Sequence, residues 1–319
     1  RDEGDGDGRQ QSLVGTVDGK PLANMTGVFL NTRPGSPASD KYIGIAPSRP
    51  SQSESRMYLW LSPDGVRWRE LQDEPVFITD LFNAFDSAPS LFWSEAEQQY
   101  VLYFRYSIRG KPLGPDIIPG VRTVARTTSA DLVHWSEPTP MAYGDDGPQP
   151  PANLYTNGTH PYFRAPHIYV AFPARFMPGR RSISVAQLPG LNMAAIGTNR
   201  YHLDCADSVF MTTRGGNTYD RLFMGVFIRP GHGQANWGSR SNYALRGVVQ
   251  TGPAEMSLYV NRHYAQSTWH VQRMTLRLDG FASVRAPYEG GELLTKPLTF
   301  NGRHLVLNYA TSAAGSLRV

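Results

Sequence analysis

The chain of 319 residues holds a single cysteine, Cys205. One thiol excludes an internal disulfide and any cysteine-based zinc centre, and a lone cysteine ordinarily packs as a small hydrophobe. No apolar run approaches the ~20 residues that a membrane helix needs, and no signal-peptide pattern opens the chain. Blocks of like charge are absent too. The formal charge of +4 comes from Lys and Arg scattered along the sequence, which leaves no electrostatic footprint for nucleic acid. The Ala, Leu, Glu and Lys mixture that sustains long helices is thin.

What the chain does have is turn formers and strand formers: 31 Gly, 25 Pro and 11% aromatic residues. That balance favours β structure, and at this length one large all-β domain can bury an ample core. The chain opens at Arg1 without Met and ends in Gly315-Ser316-Leu317-Arg318-Val319, which has strand character. It is therefore expected to be a mature segment or a piece of a longer chain, and an extracellular or periplasmic location is expected. Asn24-Met25-Thr26 and Asn157-Gly158-Thr159 match the glycosylation tripeptide.

Segments of the chain superpose on one another. Phe85 to Trp93 followed by Tyr100 to Tyr106 matches Asn157 to Phe163 with Ile168 to Phe176, and Asn242 to Val249 with Met256 to Tyr264. Asn24 to Leu30 with Lys41 to Ala46 is a fourth copy. Each is a strand, a turn and a second strand rich in aromatics. The copies start roughly 60 to 85 residues apart, slightly longer than the commonest propeller repeats. A third strand with a tryptophan turn follows: Ser62-Pro63-Asp64-Gly65-Val66-Arg67-Trp68, then Ser129-Ala130-Asp131-Leu132-Val133-His134-Trp135, with a decayed copy in Met211 to Tyr219. Ser and Asp in such a turn hold its backbone, Gly65 supplies a positive φ, and the Trp packs between sheets. Four strands per repeat arranged radially make a β-propeller. The regions 1–23, 24–287 and 288–319 are read as a tail or first-blade remnant, the propeller, and a final blade or the start of a β-sandwich. The last would begin with a hairpin of Leu294 to Phe300 and His304 to Ala310. Gly110 to Gly120 and Met177 to Leu203 are long loops of the kind that serve a site.

The Ser-x-Asp-Gly-x-x-Trp turn, Phe92-Trp93 with Tyr100 to Arg105, and Thr128 to Pro138 resemble the five-bladed propeller glycosidases of the arabinanase and invertase type. The pattern is similar to bacterial glycosidase-like proteins of planctomycete type. The resemblance implies an all-β, five-bladed propeller in which the blade preceding Asn24 is absent or truncated. It implies hydrolysis of glycosidic bonds in a polysaccharide or oligosaccharide. It also implies that Asp86 matches a transition-state-supporting aspartate, and that the catalytic base of the first blade is missing. Sialidases are a weaker match, because their Asp-box separates Asp from Gly whereas Asp64 and Gly65 adjoin.

In a propeller, residues at the start of the first strand, the end of the second and the start of the third converge on one face. That rule selects Asp86, Arg105, Asn157, His160, Arg175, Asp207, Arg240, Asn242 and His263, and demotes Glu255. Glycosidic cleavage needs two carboxyl groups, so Asp86, Asp207 and nearby Asp204 form the catalytic set. Arg105, Arg175 and Arg240 suit an acidic sugar or sulfate. Tyr155, Tyr243 and Trp237 offer faces for sugar stacking. No cofactor is expected, although a structural calcium ion fits the resemblance. The expected partner is a carbohydrate rather than nucleic acid or membrane. The alternative reading is a non-catalytic carbohydrate-binding propeller, since acidic residues at these positions are few.

Overall fold

The computed structural model describes residues 25–109, 120–144, 153–188, 190, 192, 203–221, 225–238 and 240–319, with the backbone of the short strands Thr16–Val17 and Lys20–Pro21. Asn24, most of the Gly110 to Gly120 loop and part of the Met177 to Leu203 loop lie outside the described residues. Among the described residues the fold is all-β, and its helical turns are short 3-10 segments such as Ala38–Asp40. No helix is long and apolar enough to cross a membrane.

Four antiparallel sheets follow one another. The first orders Gly27–Leu30, Tyr42–Ser51, Glu54–Ser62 and Arg69–Glu70 side by side, with Phe77–Thr79 added on Glu54–Ser62. The second has the same meander, Ser90–Ser94, Gln99–Ile108, Val121–Ser129 and Thr139–Pro140. The third contains His160–Tyr162, Ala165–Ala171 and Met211–Thr213. The fourth contains Tyr243–Ala244, Val249–Gly252, Glu255–Arg262 and His270–Arg277.

The third sheet departs from the expected repeat. Around Phe172-Pro173 and Phe210 its central hairpin breaks and continues as a separate sheet of Ala174–Arg181 and Asp204–Val209, flanked by Asn153–Leu154 and Val226–Ile228. Pro173 has no N–H to give to a ladder, which accounts for a break at that point. Part of the stretch read as a loop from Met177 is thereby strand, up to Arg181.

The strand Gln99–Ile108 explains why the sheets stack. Its even-numbered residues Tyr100, Leu102, Phe104 and Tyr106 join one core with Ile43, Ile45, Leu59 and Leu61 of the first sheet. Its odd-numbered Val101 and Tyr103 join another core with Tyr169, Ala171 and Met211 of the third. Val170 and Phe172 then meet Met256, Leu258 and Val260 of the fourth. Alternating residues of one strand point to opposite faces, so a strand apolar throughout must lie between two other sheets. The inner edges meet as well. Ser87 Oγ donates to Tyr155 O at 2.9 Å, Ser208 Oγ to Asn242 O at 2.8 Å, and Arg246 Nη2 to Leu91 O at 3.0 Å. Arg246 also lies 4.7 Å over the Phe29 ring, so the fourth sheet's inner strand returns to the first two.

The two tryptophan turns are identical in their bonding. Ser62 Oγ accepts from the N–H of Asp64 and Gly65, Asp64 Oδ1 accepts from Val66 and Arg67, and Trp68 Nε1 donates to Gly65 O at 3.1 Å. Ser129, Asp131 and Trp135 repeat every bond, the last to Leu132 O at 2.7 Å. Backbone amides hold the Asp64 carboxyl well below the usual range, and His134 does most to do so for Asp131. The turn needs a left-handed residue, which Gly65 supplies at φ +78°. In the second copy Leu132 takes that conformation at φ +72° and contributes its side chain to the core.

Ala282–Val319 forms a second unit. It carries no strand, and the expected hairpin of Leu294 to Phe300 with His304 to Ala310 is not formed. Tyr288, Leu294 and Val306 are 98%, 96% and 86% exposed. A lone two-stranded hairpin is marginal in water without a third strand or a packing partner, which is the physical reason that strand propensity alone does not make one here.

Trp68→Ala tests the turn as a packing device. Trp68 is buried beside Gly44 of the neighbouring strand, so its loss should cost about 3–5 kcal/mol in urea unfolding. A loss below about 1 kcal/mol would show that the ring is dispensable.

Candidate functional site

The stretches that lead into the inner strands, Phe85-Asp86, Tyr155 to Asn157 and Ser241 to Tyr243, converge. Tyr155 and Tyr243 pack with ring centroids 5.3 Å apart, and both cluster with Ala174 and Ala206 of the third repeat's extension. Arg105 lies 4.8 Å over the Tyr155 ring and Arg122 lies 5.5 Å from it. The backbone here is unusual: Phe85, Arg240, Asn242 and His263 all have left-handed φ, between +53° and +69°. Such conformations in residues other than glycine cost energy and gather at functional sites.

Asp86 is the one exposed carboxylate of the cluster. Arg49 Nη1 donates to its Oδ1 at 3.0 Å, and Arg105 Nη2 donates to its Oδ2. Burial alone would raise its pKa, but the charges of Arg105 and Arg49 outweigh it and the group is held below the ordinary value. Asp86 is thus an ionised carboxylate at neutral pH. Arg105 itself is 2% exposed, and among the described residues its Nε–H and Nη1–H have no hydrogen-bond partner.

Arg175 and Asp207 face each other on adjacent strands and form a two-point pair, at 2.9 Å from Nε and 2.6 Å from Nη2. Asp204 is 1% exposed and accepts from Gly179 N and Arg181 Nε, both at 3.1 Å. Its oxygens are turned into the hairpin extension rather than outward. Arg240 donates to Tyr264 Oη at 2.8 Å, and it lies within electrostatic range of Tyr155 and Tyr243. Burial pushes the Tyr243 hydroxyl far above its ordinary value, so it stays protonated.

Four predicted residues are occupied elsewhere. Asn242 is fully buried; its Nδ2 donates to Ala206 O and Asn236 O at 2.8 and 2.9 Å, and its Oδ1 accepts from Arg262. Its amide therefore fastens the inner strand instead of facing a ligand. His160 is bonded at both ring nitrogens, through Nδ1 to Gly158 O at 2.8 Å and by acceptance at Nε2 from Val248 N at 3.1 Å. His263 contacts Thr268 Oγ1 at 2.9 Å and His270 edge-on. Trp237 is half-buried with Nε1 on Gly231 O at 2.9 Å. Asn157, two residues on from Tyr155, is 1% exposed; its Oδ1 accepts from Thr159 N, and its Nδ2 has no partner among the described residues. That burial takes the Asn157 tripeptide out of reach of glycosylation. Among the described residues no three His, Cys, Asp or Glu side chains gather as a metal centre, and Cys205 is buried.

Arg49 and Arg122 are the participants that sequence reasoning missed. Arg49 lies near the end of the second strand in its sheet, as Arg105 and Arg262 do in theirs, and Arg175 follows the break in the third. An arginine in that part of each repeat is a signal the sequence carried.

No family model matches the chain, and no curated protein matches it. Solved structures align with it in part. An N-acetylgalactosamine deacetylase from F. plautii, in complex with blood group B trisaccharide, aligns over 77% of this chain and 71% of its own, at 10% identity and TM-score 0.48. The GH93 alpha-L-arabinofuranosidase of Fusarium graminearum, in complex with arabinobiose, aligns over 81% and 78%, at 13% identity and TM-score 0.43. The GH32 beta-fructofuranosidase of Bombyx mori aligns over 74% of this chain at 11% identity and TM-score 0.38, and the match spans 45% of that enzyme. The order and stacking of the sheets described above rest on this chain's own ladders.

His160 gives a pH test. Burial lowers its pKa to about 4, against the pull of the Gly158 carbonyl. The unfolded chain takes up a proton near pH 6.5 that the fold refuses, so stability is complete above pH 6.5 and falls toward pH 4. The loss should approach about 3 kcal/mol and shrink in His160→Asn. Equal pH dependence in parent and variant, measured by urea unfolding, would assign it to other groups.

Proposed function

We propose that the chain is a glycoside hydrolase-like propeller that receives a saccharide where the inner strands begin, with Asp86 as the ionised carboxylate of that site. The observation that carries this reading is Asp86 itself. It is accessible, fixed by Arg49 and Arg105, and next to the Tyr155–Tyr243 pair, whose aromatic faces suit a sugar ring. An ionised carboxylate in that position can stabilise positive charge at the anomeric carbon or activate water.

A second reading has an observation of its own. Cleavage of an unactivated glycoside also needs a carboxylic acid to protonate the leaving oxygen. Asp86, Asp204 and Asp207 are each matched by an arginine, which leaves none of the three as a spare proton donor. That favours a carbohydrate-binding propeller without turnover.

Hydrolysis of a broad glycan panel by the parent and by Asp86→Asn separates the two. The hydrolase reading expects turnover on at least one glycan and a loss of at least about a hundredfold in the variant, with thermal stability within a few degrees of the parent. Binding without turnover supports the second reading. No turnover together with unchanged glycan binding by Asp86→Asn would remove Asp86 from the site.

A further inference from the structure

We propose that the site takes an anionic saccharide, one bearing a carboxylate or sulfate group, and seats that group between Arg105 and Arg240 at the Tyr155–Tyr243 pair. The proposal rests on the carbohydrate reading above and names its substrate class.

The charge balance of the cluster is the first ground. Arg105, Arg122 and Arg240 lie about the two tyrosines, through the contacts already given and through electrostatic reach to Tyr243, and Arg49 reaches the adjoining Asp86. Asp86 is shared between two of them, and Asp207 is taken by Arg175. Arg240 contacts a tyrosine hydroxyl and its ring: Tyr264 Oη at 2.8 Å, with the ring centroid at 5.1 Å. Arg122 aside, Arg49, Arg105 and Arg240 stand against Asp86 among the described residues, an excess of cation.

The second ground is independent of charge. Among the described residues, Arg105, 2% exposed, has two N–H groups without a hydrogen-bond partner, and Asn157, 1% exposed, has its Nδ2. Buried donors left unsatisfied are costly, and proteins rarely retain them without a role. These unpartnered buried groups are all donors. A sugar hydroxyl offers them a single oxygen and spends its own proton on an acceptor such as Asp86, whose oxygens each take one arginine bond and keep room for another. A carboxylate or sulfate brings oxygens only, in a plane or fork that guanidinium groups match. The chemistry of the lining thus selects an anionic substituent over a neutral one.

The test is calorimetric binding of trigalacturonate, a sulfated galacto-oligosaccharide and neutral galactotriose to the parent, Arg240→Gln and Arg240→Lys, at two salt concentrations. The proposal expects one of the acidic ligands to bind at least tenfold more tightly than galactotriose, with affinity falling as salt rises. Arg240→Gln should erase most of that preference, and Arg240→Lys, which keeps the charge but loses the fork, should retain part of it. Trigalacturonate or the sulfated ligand as the winner tells carboxylate from sulfate. Galactotriose binding as well as both acidic ligands would overturn the anionic class while leaving the carbohydrate reading intact. Binding of none of the three would overturn both. An acidic preference unchanged in a folded Arg240→Gln would remove Arg240 from the recognition and refute the proposed seat.

Discussion

A sheet whose strands are apolar on both faces cannot be half wet, and this constraint governs the molecule. Gln99–Ile108 is buried along nearly its whole length, with alternate residues serving two different cores. Such a strand is stable only if a sheet covers each side, so each repeat commits the next. The ring of inner edges follows from that stacking, and so does the convergence of the inner-strand beginnings. Polar pins reinforce it: Ser94 Oγ and Tyr169 Oη meet at 2.5 Å across the second and third sheets, and Tyr169 Oη donates to Glu97 Oε1 at 2.7 Å.

The site is a by-product of the same geometry. Each repeat carries an arginine on its second strand or on that strand's continuation, and in three cases that arginine grips the approach to an inner strand or a neighbouring strand: Arg105 on Asp86, Arg175 on Asp207 and Arg262 on Asn242. Where the acceptor is Asn242, fully buried, the contact only fastens the fold. Where it is Asp86, left exposed and reached also by Arg49 from the adjoining sheet, the same contact presents a charged group to solvent. One structural device thus serves both as a clasp and as the base of a site, and exposure decides which.

The fold was legible because its signals are local. Period-two aromatics and the Ser-Asp-Trp turns mark strands and turns residue by residue, and the structure reproduces both turns bond for bond. The break at Pro173 was harder to see, because apolar alternation runs across it. The Leu294 to Ala310 stretch failed for the opposite reason: its alternation is real, but a strand needs a neighbour that sequence pattern does not supply. For the candidate site, the rule of strand ends selected Asp86, Arg105 and Arg240, the two tyrosines were chosen as aromatic faces, and the structure brings the five near one another. The rule could not tell Asn242 and His160, whose polar atoms turn inward, from residues that face outward. That distinction depends on side-chain partners distant in sequence, Arg262 and Val248 among them.

The most direct measurement of this account is a crystal structure of the chain with a bound acidic oligosaccharide. The account predicts a sugar ring against Tyr155 or Tyr243, with its charged substituent within hydrogen-bond distance of Arg105 or Arg240 and Asp86 beside the ring. A saccharide bound elsewhere on the sheets, or one whose charged group points to solvent while these arginines stay unengaged, would contradict it.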